Sequence, residues 1–198
     1  FLSNGIHVLV EKPITDNVKT AQKLLEKAKN NNLILLIGHL ERFNPCIQSI
    51  TNVLENRLND FKIKHIVAMR ITQFNTRAND VSVVTDLMIH DIDLANFFLK
   101  SSMKSVQPMN SNVVQKTYDI STALLTFDNR ATASLYANRV AKDPMRKFEL
   151  YGDSEVFSLD LNRKVIHHTK YISENNIVRP ATEQVDTKEE DALENEIK

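Results

Sequence analysis

Tryptophan is absent from the chain, cysteine occurs once and glycine three times. Each scarcity removes a class of explanation. A lone Cys46 excludes an internal disulfide framework and any multi-cysteine zinc site, and makes a reducing cytoplasm the simplest setting. Gly5, Gly38 and Gly152 stand too far apart to build the G-x-G-x-x-G turn that cradles a pyrophosphate. Net charge is missing too. The 25 basic residues match 25 acidic ones, and no Lys/Arg run exceeds two residues, so no basic field recruits nucleic acid. No apolar run approaches the roughly 20 residues that span a bilayer, so no membrane partner is expected. The opening FLSNGIHVLV has no initiator Met, no basic n-region and no small-residue cleavage site of a signal peptide.

What is present is ordinary in bulk: 198 residues, 42% hydrophobic and 25% charged, enough for one large domain or two small ones. GIHVLVEKP is a β-rich run stopped by Pro13. Residues 15–32 follow as a helix capped by Thr15 or Asp16, with Val18, Ala21, Leu24, Leu25 and Ala28 as its apolar stripe. LILLIG, residues 33–38, has the continuous apolar texture of a buried parallel strand. Strand, helix and strand predict a right-handed βαβ unit. Helix is then expected near 46–58, an alternating strand in KHIVAMRITQF, and helix again over 85–99. Beyond that point the period becomes two. Turn signals at Asp128-Asn129, Gly152-Asp153 and Asn162-Arg163 separate short strands, and DTKEEDALENEIK reads as the first turns of a helix. The expected class is α+β: a Rossmann-type α/β remnant over residues 1–44, then residues 45–198 as a mostly antiparallel open sheet with helices on one face.

One segment, TDLMIHDIDL, carries more polarity than a core helix needs. On an α-helix, Asp86, His90 and Asp93 fall at i, i+4 and i+7 and share a face. Three readings are open. Asp86 and His90 form an acid–base pair; they hold a metal with a further ligand from elsewhere; or Thr85 or Asp86 caps the helix and His90 is a satisfied polar group. Glu11, Lys12 and Pro13 end a strand, where open α/β sheets bind ligands. Lys12 there suits polarising a hydroxyl or carbonyl, and Pro13 suits a cis turn; the plain alternative is a surface Lys before a strand-ending Pro. Arg42, in GHLERFNP beyond the next strand, suits an anionic ligand or a surface ion pair with Glu41 or Glu55. His7, His65, His167 and His168 have no partners at chemical spacing.

Taken together, VEKPIT, GHLERFNP and DLMIHDIDL, in this order and ahead of an antiparallel sheet, resemble the Gfo/Idh/MocA family of nicotinamide-dependent sugar oxidoreductases. The resemblance runs through nearly the whole chain. Its wording looks most like the branch of UDP-N-acetylglucosamine 3-dehydrogenases. It implies oxidation of a secondary hydroxyl of a sugar or sugar nucleotide, with NAD or NADP as hydride acceptor. His90 inherits the acid–base role, and Lys12 contacts substrate and nicotinamide ribose, with Glu11 and Pro13 beside it on the cofactor side. Asp86 orients His90 or grips a substrate hydroxyl. Arg42 neighbours a sugar-nucleotide phosphate, and Asp93 supports the substrate side. No metal is implied, and a homo-oligomer through the open sheet is.

The family's Gly-rich half is not found in these residues. By analogy with the usual layout, roughly 80 residues of the dinucleotide domain are expected ahead of Phe1, and the final helix is expected to continue past Lys198. Independent NAD(P) binding by these 198 residues is not expected. Two readings therefore stand side by side: a piece of a working dehydrogenase, or a non-catalytic remnant that keeps a folded dimerisation or binding domain. Either way, the apolar sides of HVLV and LILLIG are expected to lie bare.

Overall fold

The computed structural model of the chain describes residues 1–57, 60–76, 80–175, 177–187 and 192–197. The first unit is β1 (Val8–Glu11), α1 (Val18–Asn30) and β2 (Leu35–Gly38), with the strands parallel and Glu11 level with Gly38. The α1 cap is Asn17, whose side chain accepts from the Thr20 amide at 2.9 Å, so the cap falls one residue beyond the Thr15–Asp16 pair. The Asx side chain nearest the first turn is the one whose oxygen reaches a free amide. Of the expected α1 stripe only Ala28 is buried, while Val18 is 72% exposed.

A tight turn over Leu40–Phe43 leads into α2 (Pro45–Glu55), capped by the Asn44 side chain on the Cys46 amide at 3.0 Å. Then come β3 (His65–Ile71) and α3 (Ile89–Leu99), followed by β4 (Met103–Ser111), β5 (Ile120–Phe127), β6 (Thr132–Asn138) and β7 (Met145–Tyr151). β8 (Glu155–Asp160), β9 (Val165–Glu174), β10 (Ile177–Val185) and α4 (Ala192–Ile197) complete the chain. The second sheet has eight strands in the order β10-β9-β8-β7-β3-β6-β5-β4, antiparallel except where β3 runs parallel to β6. All three turn signals join neighbouring antiparallel strands. The sequence reading named neither β4 nor the long β9–β10 ribbon, because their residues are mostly exposed and carry no strict alternation.

One face of this sheet holds the core. Ile66 and Ala68 of β3, Leu125 of β5, Leu135 of β6, Phe148 and Leu150 of β7 and Phe157 of β8 meet Cys46, Ile47 and Ile50 of α2 and Leu94, Ala95 and Leu99 of α3. The strand period of two makes this work: in β3 every second residue is buried. Arg70 sits in that buried register too, so a guanidinium charge is carried into the interior beside α3.

Candidate functional site

The segment ahead of α3 is not a plain helix start. Val84–Met88 forms a wider, π-helical turn before the α-helix takes over at Ile89. Neither Thr85 nor Asp86 caps it; the Ser82 hydroxyl accepts from the Val84 amide at 3.2 Å, and the Thr85 hydroxyl donates back to the Ser82 carbonyl. A π turn breaks the three-and-four spacing of an α-helix, so residues before and after it do not share a face as the α pattern assumes. Accordingly, no hydrogen bond joins Asp86 to His90 among the described residues. Asp86 turns to Lys12: the lysine ammonium donates to the Asp86 main-chain carbonyl at 2.6 Å and lies 3.8 Å from its carboxylate. Lys12 follows β1 through a cis bond to Pro13, the turn that the sequence suggested. Burial pulls the Lys12 ammonium below its ordinary value, against the opposing pull of Asp86.

Asp93 takes a different partner. Arg42 grips it with two parallel hydrogen bonds of 2.7 and 2.6 Å, and lays its guanidinium over Phe97 at 5.4 Å. Neither Glu41 nor Glu55 pairs with Arg42. His39 approaches the same carboxylate at 3.5 Å through Nε2, while its Nδ1 is buried with no hydrogen-bond partner. Glu11 is the exposed last residue of β1, opposite Gly38.

Beneath these groups lies a buried ion cluster that the sequence reading missed. Arg70, 2% exposed, donates to Glu41 at 2.8 Å and to both oxygens of Asp91 at 2.9–3.2 Å. Arg146 of β7 reaches Glu41 at 3.4 Å. Burial opposes the Arg70 charge, but Asp91 and Glu41 outweigh it and raise the guanidinium above its ordinary value. The signal was in the strand pattern: Ile66, Ala68 and Arg70 share one register, and an Arg on a buried face requires carboxylates. Nothing local named those carboxylates, which come from a turn 29 residues upstream and a helix 21 residues downstream.

His90 is the polar group that this cluster surrounds. It is half-buried, and its Nδ1 has no hydrogen-bond partner. Burial first, then the charges of Arg70, Lys12 and Arg146, push the imidazole down to about 3, with Glu41 alone among the named neighbours pulling it back up. It is therefore neutral near pH 7, a proton acceptor beside a lysine. Residues 12, 86 and 90 thus share one electrostatic environment, and 42 with 93 forms a second pair on the same helix. Two cavities of about 280 and 220 Å³ lie elsewhere, lined by neither Lys12 nor His90. Among the described residues no group of three His, Cys, Asp or Glu side chains is arranged to hold a metal ion.

Comparison with known proteins matches residues 1–39 to the oxidoreductase family with an NAD-binding Rossmann fold, and residues 58–158 to the GFO/IDH/MocA C-terminal domain. A UDP-N-acetylglucosamine 3-dehydrogenase of Acidithiobacillus ferrooxidans is 32% identical over 98% of this chain, which spans 61% of that relative's length. A solved structure of that dehydrogenase superposes with a TM-score of 0.88 at 30% identity, over 99% of this chain and 62% of the other. A scyllo-inositol 2-dehydrogenase (NAD(+)) of Bacillus subtilis is 26% identical over 70% of the chain and 43% of its own length. Levoglucosan dehydrogenase, in complex with NADH and L-sorbose, shares the fold at 15% identity, with a TM-score of 0.79 over 93% of this chain and 56% of that one.

Proposed function

This chain belongs to the GFO/IDH/MocA oxidoreductase family, and from that premise we propose that it carries the proton-handling half of a sugar-nucleotide dehydrogenase site. The substrate we infer is a secondary hydroxyl of a UDP-N-acetylglucosamine-like sugar, at C3. One observation carries the reading: Lys12 and Asp86, 74 positions apart, meet at 2.6 Å in the same charged environment as a neutral His90.

The roles follow from the chemistry of each group. His90, neutral and desolvated, takes the hydroxyl proton as the alcohol carbon becomes a carbonyl. Lys12 polarises that oxygen and stabilises its developing negative charge, a contribution that grows where water is excluded. Asp86 holds the Lys12 ammonium in place. Arg42 and Asp93 lie on the substrate side; Arg42 is 41% exposed along its side chain, which leaves guanidinium edge for an anionic group while Asp93 fixes its plane. The chemistry that a bound NAD or NADP supplies is acceptance of the hydride from the same carbon. The residues after β1 fit the nicotinamide end of such a cofactor: Glu11, Lys12 and Pro13 would line it, and His39 and His90, each with a buried, unpartnered ring nitrogen, both feel the Lys12 charge. They do not fit the phosphate end, since three separated glycines build no phosphate-cradling turn. The division at residues 1–44 and 45–198, and self-association through the uncovered sheet face, belong to the same proposal. Leu124, Met145 and Tyr171, each at least 38% exposed, lie on the strands that form that sheet.

The test is to fuse the chain behind the first part of the Acidithiobacillus relative's Rossmann segment and follow nicotinamide reduction with UDP-N-acetylglucosamine. Turnover that falls by about 10²–10⁴ in His90→Ala supports the reading. Turnover indifferent to His90 and Lys12 overturns it. A thermal-shift titration of the unfused chain with the sugar nucleotide gives a second readout, and a flat response there favours the non-catalytic remnant.

A further inference from the structure

Two buried atoms in the cluster have no part in the proton and hydride transfer just described. Glu41 spends Oε1 on both Arg70 and Arg146, at 2.8 and 3.4 Å, while its Oε2 is buried without a hydrogen-bond partner. The Nδ1 of His90 is in the same condition. Unsatisfied buried polar atoms are rare and costly, about 1–3 kcal/mol each. These two are complementary: a carboxylate oxygen accepts, and an imidazole nitrogen donates in one of its two tautomers. They also belong to one assembly. The guanidinium that fixes Glu41 fixes Asp91, the residue directly after His90 in the chain. Asp86, the other carboxylate near His90 in sequence, is committed to Lys12.

Resting on His90 as the proton acceptor, we propose that Glu41 is its positioning residue: Nδ1–H of His90 donates to Oε2 of Glu41, leaving Nε2 to receive the substrate proton. The bond on one ring nitrogen decides which tautomer the other presents. Catalytic hydrogen bonds of this kind are commonly long before substrate binds and tighten in the complex. The arrangement answers an electrostatic difficulty. An imidazole pressed down by burial and by Arg70 is a weak base, and Glu41 is the neighbour that opposes this. When Nε2 takes the hydroxyl proton, the imidazolium lies beside a carboxylate already anchored by two arginines. The second proton stays on Nδ1, so Glu41 changes no protonation state.

The tautomer is directly measurable, without any cofactor, in the ¹⁵N-labelled chain by long-range ¹H–¹⁵N correlation of the His90 ring. The expected spectrum is Nδ1–H. Glu41→Ala is expected to shift the ring toward Nε2–H and to lower its titration midpoint. Glu41→Gln, whose amide oxygen still accepts, is expected to keep the Nδ1–H form. An Nε2–H ring in the unaltered chain overturns the proposal, as does a folded Glu41→Ala chain with an unchanged tautomer. The unaltered chain decides the first point even where Glu41→Ala fails to fold. The acid–base reading itself fails on a different result, turnover that survives His90→Ala in the fused enzyme, and that result leaves the tautomer untouched.

Discussion

The two sheets of this molecule handle their apolar residues in opposite ways. In the eight-stranded sheet Ile66, Leu135, Phe148, Leu150 and Phe157 are fully buried under α2 and α3. In the β1–α1–β2 unit Leu9 and Leu36 are each 54% exposed, and Ile34 is 63% exposed. Parallel strands read as continuous apolar runs because they are covered on both faces, and here α1 covers one. The large sheet has its cover within these 198 residues; the small one presents a face for more structure. Yet Lys12 and Arg42, two of the proposed site residues, stand on or just beyond the less buried unit. The site therefore joins a firmly packed half, α3 with β3, to a half whose rigidity depends on what else lies against β1 and β2.

Substitutions can break or sharpen that contrast. The largest loss is expected from Arg70→Ala, which leaves Asp91 and Glu41 buried without their cation, about 3–5 kcal/mol. Phe148→Ala in the sheet core should cost a similar amount, about 3–5 kcal/mol. Urea unfolding followed by circular dichroism measures both, and a cost below about 1 kcal/mol at Arg70 would mean that the cluster is not a structural anchor.

Acid should act next, and through the site. Unfolded, His90 takes up a proton near its ordinary 6.5; folded, it does so only near about 3. Between those values the unfolded chain holds the extra proton, so stability should fall as pH is lowered through this window. Glu41 adds to the loss at the acid end: burial pushes its carboxyl up, but Arg70 prevails and holds it below its ordinary 4.5. His90→Asn should flatten the dependence of the urea midpoint between pH 6.5 and 5. A slope that is unchanged in the variant would assign the acid loss to other groups.

Smaller effects are expected at the joint. Arg42→Ala removes a bidentate but half-exposed pair and its packing on Phe97, about 1 kcal/mol. Leu36→Ala in the first unit should cost at most about 0.5 kcal/mol, because its side chain is mostly in water already. A Leu36→Ala cost approaching that of Phe148→Ala would show that the contrast between the sheets is wrong.

Much of the architecture was legible from periodicity. The strand–helix–strand opening, the switch to period two and the three hairpin turns follow from local turn chemistry and apolar spacing, and the structure has all of them. The α1 cap moved by one residue, since three polar residues in a row compete for the same free amides. The candidate site was legible in part. Lys12, Arg42, Asp86, His90 and Asp93 each lie where ligand-facing strand ends and a polar helix suggested. Their partners were not. An α-helical spacing paired Asp86 with His90, whereas a π turn sends Asp86 to Lys12. Glu41, Asp91 and His39 carried no local signal at all.

By itself, then, the sequence determined which segments become helix or strand, which face of each strand is buried, and which family the whole resembles. These are decided within a few residues of chain, by backbone geometry and the 2.0 and 3.6 periods of side-chain direction. Only the tertiary structure decided that Arg70 ties Glu41 to Asp91, that Lys12 meets Asp86, and that His90 is left neutral among cations. Those pairings join residues 21 to 74 positions apart. Their strength comes from burial, a property of the folded surroundings that no residue carries alone.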